Sequence, residues 1–113
     1  MADCLFCTLI GNAKPGFLVH DKDGIVAFRD IHPQAPTHIL VVPREHFSDL
    51  TAMEGRTDVV GRMYAAAIAL AKSEKIDDGF RSVLNCKEKG GQSVFHVHMH
   101  LLGGKAMGPS LTG

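Results

Sequence analysis

The stretch "GQSVFHVHMHLLGG", residues 91–104, places three of the chain's seven histidines at alternate positions: His96, His98 and His100. Side chains of an extended strand alternate between faces. Those three therefore share one face, while Phe95, Val97, Met99 and Leu101 share the other and can pack on a core. Neighbours on one face stand about 6.5–7 Å apart and the outer pair about 13 Å apart. One phosphate group reaches two adjacent imidazoles and not all three closely, so the outer members should have different tasks. Three readings are open at this point. The face could be a solvated strand surface. It could be a catalytic zinc site, with histidines at i and i+2 sharing an ion. It could also present a neutral imidazole as a nucleophile toward phosphorus, with a neighbouring imidazolium stabilising charge or protonating a leaving group.

Working outward, residues 95–103 read as the last strand and "FRSVLNC" (80–86) as the one before it, with "KEKGG" as the loop between. "THILVVP" (37–43) is nearly continuous in apolar residues and ends at a proline, which suits a central strand. "FLVHD" (17–21) and "GIVAFRD" (24–30) flank Lys22-Asp23-Gly24, and an Asp-Gly pair between β-rich runs signals a hairpin. Leu5, Phe6, Leu9 and Ile10 have helical spacing, giving a short helix from Cys4 to Ile10 with Gly11-Asn12 as its stop. A longer helix runs from about Thr57 to Lys75. Its "YAAAIALA" core (64–71) offers small residues on nearly all sides, enough to pack on its own sheet and on a second surface. The order α-β-β-β-α-β-β gives an α+β class with a mostly antiparallel five-stranded sheet, one long helix and one short helix.

A chain of 113 residues fits one domain, 1–113, with a tail from about 105 expected to be flexible unless held. The formal net charge is zero and charges are mixed along the chain. No basic stripe suggests a nucleic-acid partner, and no apolar run approaches the ~20 residues of a membrane helix. "MADCLFCTLI" lacks the charged and apolar regions of a signal peptide. An odd count of three cysteines suits a reducing compartment, with cytoplasm as the default. Cys4-Leu-Phe-Cys7 is a C-x-x-C without a thioredoxin-like pattern behind it, so it reads as half of a zinc site or as two small buried thiols. Cys86, His20 and His32 carry no motif.

"HVHMHLL" resembles the signature of the histidine triad (HIT) superfamily, and "DIHPQAPTHILVVPREH" (30–46) and "NCKEKGGQSVFHVHMHLLGG" (85–104) resemble its Hint branch, the purine nucleoside phosphoramidases. The resemblance extends to about Met107. It implies a HIT-like fold whose sheet continues into that of a partner in a homodimer. It also implies a hydrolase of P–N bonds in AMP- or GMP-amine conjugates, working through a nucleotidyl-histidine intermediate. His98 would be the nucleophile. His100, His38 and Ser93 would act at the phosphate, with Asn85 as a further phosphate contact. Asp30 would hold the ribose, and Phe6, Phe28, Ile31 and Leu40 would form the apolar base slot. Cys4 and Cys7, with His46 and His96, would hold a structural zinc that takes no part in the chemistry. The ligand would be a purine nucleoside monophosphate or phosphoramidate. A dinucleoside polyphosphate hydrolase, or a nucleotide-binding interaction module, are the alternatives. The chain has no tryptophan, unlike the tail of the animal Hint proteins.

Overall fold

A computed structural model of the protein describes residues 4–109. The short helix α1 (Leu5–Gly11) is capped by its own motif, the Cys4 Sγ accepting from the Cys7 backbone N–H. Strands β1 (Leu18–Lys22) and β2 (Ile25–Arg29) form the expected hairpin. Asp23 and Gly24 have φ of 55° and 76°, the left-handed pair that a two-residue turn matched to strand twist requires. Strand β3 (Thr37–Pro43) follows, then a 3₁₀ turn at Leu50–Met53, the long helix α2 (Thr57–Ser73), β4 (Phe80–Val83), a second 3₁₀ turn at Glu88–Gly90, and β5 (Met99–Gly103). The 3₁₀ turn is capped by Asp49, whose carboxylate accepts from the Thr51 and Ala52 backbone N–H groups.

All ladders are antiparallel, in the order β1-β2-β3-β5-β4. β3 is buried along its whole length, as its unbroken apolar run implies. One face of the sheet, with Ile25, Ala27, Ile39, Val41, Met99 and Leu101, packs on α2 through Val59, Met63, Ala66, Ala67, Leu70 and Ala71. Met63 has no exposed surface, and truncating such a side chain to alanine costs about 2–5 kcal/mol. The other face carries a second apolar cluster, Phe6, Ile10, Val26, Phe28, Leu40 and Val42, under α1. Helix α1 covers only the β1–β2–β3 half of that face.

Two strands are shorter than expected. β4 ends at Val83 instead of continuing to Cys86, and β5 begins at Met99 instead of Phe95. For β5 the cause is partner choice: Val97 N–H donates to the Phe47 carbonyl in the loop after β3 rather than to a ladder. The alternation nevertheless holds from Val97 on, with Val97, Met99 and Leu101 in the α2-side core. Phe95 is the exception, half exposed instead of core-packed. The part of the expected tail beyond residue 109 lies outside the described residues.

Candidate functional site

His98 stands on the α1 face of the sheet, buried, with the Phe6 ring edge-on at 5.0 Å and the His100 ring at 5.1 Å. Its Nδ1 lies 2.8 Å from the His96 carbonyl oxygen. A carbonyl only accepts, so Nδ1 carries the proton and Nε2 keeps its lone pair. Burial lowers the pKa of His98 against the opposing pull of that hydrogen bond and of Asp30, which preserves the lone pair at neutral pH. This is the electronic form a nucleophilic imidazole needs.

The neighbouring rings are fixed by the same logic. The Gln34 backbone N–H donates to His38 Nδ1 at 3.1 Å, so His38 bears its proton on Nε2. That N–H points at His100 Nδ1, 2.9 Å away, with Asp30 Oδ2 at 3.5 Å. His100 therefore accepts at Nδ1 and retains Nε2–H as its donor. Burial lowers the pKa of both, and the His98 and His38 rings add to the effect on His100, which falls to about 4. A chain of neutral imidazoles with assigned tautomers runs from His38 to His100, beside His98.

A cleft of about 480 Å³ opens over the β3–β5–β4 half of this face, where α1 no longer covers the sheet. His38, His100, Asn85 and Gly91 line it, and Arg81 and Lys105 stand on its far wall. Of the remaining residues expected at the site, Ser93 is exposed on the loop before β5. Asp30 is partly buried, and its Oδ1 accepts from the His32 N–H at 2.7 Å. Phe6, Phe28 and Leu40 sit together in the apolar cluster on the α1 side of His98, whereas Ile31 is 83 % exposed and apart from that cluster.

The fourth expected group converges fully. Ligand atoms of Cys4, Cys7, His46 and His96 all lie within 4.8 Å of one another. His96 Nδ1 is 3.2 Å from His46 Nδ1, 3.3 Å from Cys4 Sγ and 3.6 Å from Cys7 Sγ. His96 Nε2 donates to the Pro43 carbonyl at 2.7 Å. Its Nδ1 lone pair thus faces the two sulfurs, the outer-sphere arrangement typical of a metal-bound histidine. Burial, then Cys4, raises the Cys7 pKa, an effect a bound cation would reverse. The donor set, two sulfurs and two imidazoles, suits tetrahedral zinc. A second convergent group, Asp30, His38 and His100, does not suit a metal as well. The Gln34 N–H keeps the His38 proton on Nε2, the atom that would have to coordinate.

Sequence reasoning did not single out Gln92. It is 5 % exposed, its Oε1 accepts from the Lys87 N–H, and its Nε2 donates to the Ser48 and Val94 carbonyls. It pins the loop carrying Asn85, Gly91 and Ser93 to the segment after β3. A buried glutamine between a Gly-Gly pair and a strand gives no local pattern that names its partners. Arg81 was also missed, because a cation in a strand is ordinarily a solvent-facing residue.

Comparison with known proteins bears on this geometry. The HIT domain matches residues 12–107. A purine nucleoside phosphoramidase of Escherichia coli K12 is 40 % identical over 111 residues, covering 96 % of this chain and 93 % of the relative. A 14 kDa zinc-binding protein of Brassica juncea is 43 % identical over 108 residues, covering 93 % and 96 % of the two chains. The crystal structure of a histidine triad protein from Clostridium difficile superposes with a TM-score of 0.91 at 37 % identity, covering 97 % of each chain. With His38, His98 and His100 gathered on one sheet face and a match along most of its length, the chain belongs to the HIT domain family.

Proposed function

We propose that the protein hydrolyses the P–N bond of purine nucleoside 5′-phosphoramidates. His98 Nε2 attacks phosphorus, the P–N bond breaks, and the departing nitrogen takes a proton from a water molecule to whose oxygen the His100 Nε2–H donates. The hydroxide so formed attacks the nucleotidyl-His98, giving the nucleoside monophosphate and returning the lone pair to Nε2. Net, one water enters, and one amine and one monophosphate leave. Ser93, Asn85 and the Gly91 backbone hold the phosphate with His38 and His100. Asp30 takes the ribose hydroxyls, and Phe6, Phe28, Leu40 and Ile31 grip the purine faces. Apolar walls read few base-edge groups, so AMP and GMP conjugates both serve.

The observation that carries the reading is the His96 carbonyl on His98 Nδ1, which leaves Nε2 unprotonated beside the phosphate-side histidines. The test compares kcat/KM for adenosine 5′-phosphoramidate and diadenosine tetraphosphate in parent and His98→Ala protein. Preference for the phosphoramidate, lost in the variant, is expected. Preference for the dinucleotide would instead favour a polyphosphate hydrolase. Full cellular function of a folded His98→Ala protein would favour an interaction role.

Cys4, Cys7, His46 and His96 would hold a structural zinc ion that ties α1 to the sheet. The protein acts as a homodimer. In support, α2 presents Tyr64 and Ile68, about half exposed, between the small residues Gly61, Ala65 and Ala69, and β4 has an open edge beside half-exposed Phe80. No helix among the described residues is long and apolar enough to cross a membrane. No disulfide joins Cys4, Cys7 and Cys86, as suits a reducing compartment such as the cytoplasm.

A further inference from the structure

Beyond the histidines the cleft has a chemical character of its own. Its charged wall residues are cations, Arg81 and Lys105, and among the described residues no carboxylate lines it. Arg81 stands on β4 opposite Leu102 of β5. Its Nη2 donates to the Met107 and Gly108 carbonyls at 3.3 and 2.8 Å. These bonds draw the segment after β5 along the cleft and place Lys105 on its wall. The turn that starts this segment is fixed at Gly104. There φ is +91°, and a Cβ would stand 2.9 Å from the Pro36 side chain.

Among the described residues neither cation is paired with a carboxylate. Among the described residues, no salt bridge involves Arg81 or Lys105, whereas Arg29, Arg44, Arg56 and Arg62 each pair with a carboxylate. Asp30, the acid near the histidines, is turned to His38 and to the His32 N–H. Cations left without partners beside neutral imidazoles give the cleft a positive potential that selects anions.

The apolar cluster lies on the α1 side of His98 and the cleft on the β4 side. With the phosphate held at His38 and His100, on the cleft side of His98, as the phosphoramidase reading has it, an in-line displacement puts the departing amine across phosphorus from His98, farther into the cleft. We infer that this amine carries an anionic oxygen group, recognised by Lys105 and Arg81 as the specificity-determining cations. The inference rests on the phosphoramidase reading. The bonds made and broken are those already given, and the distal anion takes no part in them.

The test uses three adenosine 5′-phosphoramidates of matched chain length. Their amines are β-alaninamide, which is neutral, β-alanine, a carboxylate, and taurine, a sulfonate. The readout is kcat/KM on the full chain, for the parent and for Lys105→Gln, Lys105→Glu and Lys22→Gln. Lys105 is exposed, so its replacement does not threaten folding. Lys22 is on β1, the opposite edge of the sheet, and controls for net charge. The parent should favour the anionic substrates roughly tenfold, the size of a hydrogen bond to a charged group, and added salt should erode the preference. Lys105→Gln should shrink it, Lys105→Glu should reverse it, and Lys22→Gln should leave it. Preference for only one of the two anions supports the inference and names the group. Equal rates on all three, or a preference that Lys105→Glu does not move, overturn the inference alone. Failure to hydrolyse any of the three overturns the phosphoramidase reading and this inference with it.

Discussion

Replacing Gln92 with leucine tests how the phosphate-side loop is held. The side chain is buried and makes three hydrogen bonds, at 2.7, 2.7 and 3.0 Å, to the Lys87 N–H and the Ser48 and Val94 carbonyls. Leucine keeps much of the volume and removes all three. Each such bond contributes about 0.5–1.5 kcal/mol net, and each main-chain group left buried without a partner costs about 1–3 kcal/mol. If the loop stays closed, the loss is about 3 kcal/mol or more. If it opens to water, stability falls less, and the loss moves to kcat/KM, because Asn85, Gly91 and Ser93 ride on this loop. Lys87 supplies an internal check. Its φ of 63° and ψ of 174° fall in a region that is strained for a side-chain-bearing residue by about 1–3 kcal/mol. Gln92 accepts the N–H of this residue, so Lys87→Gly should relieve strain and raise stability by about 1 kcal/mol. Denaturant unfolding and phosphoramidate kinetics on both variants decide the matter. A Gln92→Leu protein with unchanged stability and unchanged kcat/KM would refute the claim that this side chain organises the loop.

Three further outcomes are expected. His100 has a pKa of about 4 in the folded chain against 6.5 for the free side chain, so folding there opposes protonation. Above pH 6.5 it contributes nothing to pH dependence. As pH falls from 6.5 toward 4 the unfolded chain takes up the proton first, and up to about 3 kcal/mol of stability is lost. In His100→Gln protein the unfolding free energy should fall less over that window, and parallel curves would contradict the assignment. Cys4→Ser/Cys7→Ser should lose bound zinc and melt about 10 °C lower or more. Its kcat should be spared, since the zinc takes no part in the chemistry; unchanged melting in zinc-depleted and zinc-replete protein would count against the site. Ile68→Glu, at the centre of the exposed α2 stripe, should convert a dimer to a monomer by analytical ultracentrifugation, and a persisting dimer would place the interface elsewhere.

The alternation of apolar and histidine residues in 96–101 was enough to assign the two sheet faces, because a period of two leaves no other arrangement once Val97, Met99 and Leu101 are buried. Pro43 and the Asp23-Gly24 turn likewise marked their element ends. The sequence was less informative wherever a partner is distant. Nothing local to Val97 indicates that its N–H bonds to Phe47, so the last strand was read four residues too long. The C-x-x-C was legible as half a metal site, and its completion by His46 and His96 came from family likeness, since those residues are distant from it in sequence. The tautomers of His38, His98 and His96 depend on backbone groups at Gln34, His96 and Pro43 that no side-chain pattern encodes. Arg81 escaped notice, and the segment after the last strand was read only as a tail in need of a partner, for the same reason: a guanidinium binding carbonyls after the last strand is a tertiary contact between residues of no distinctive type.

The most direct test of the central claim is the stereochemical course at phosphorus. A phosphoramidate made chiral at phosphorus would be hydrolysed in isotopically labelled water and the configuration of the monophosphate determined. Attack by His98 followed by attack of water is two displacements, and retention is expected. Inversion would mean that water attacks the substrate directly, and His98 would then not be the nucleophile.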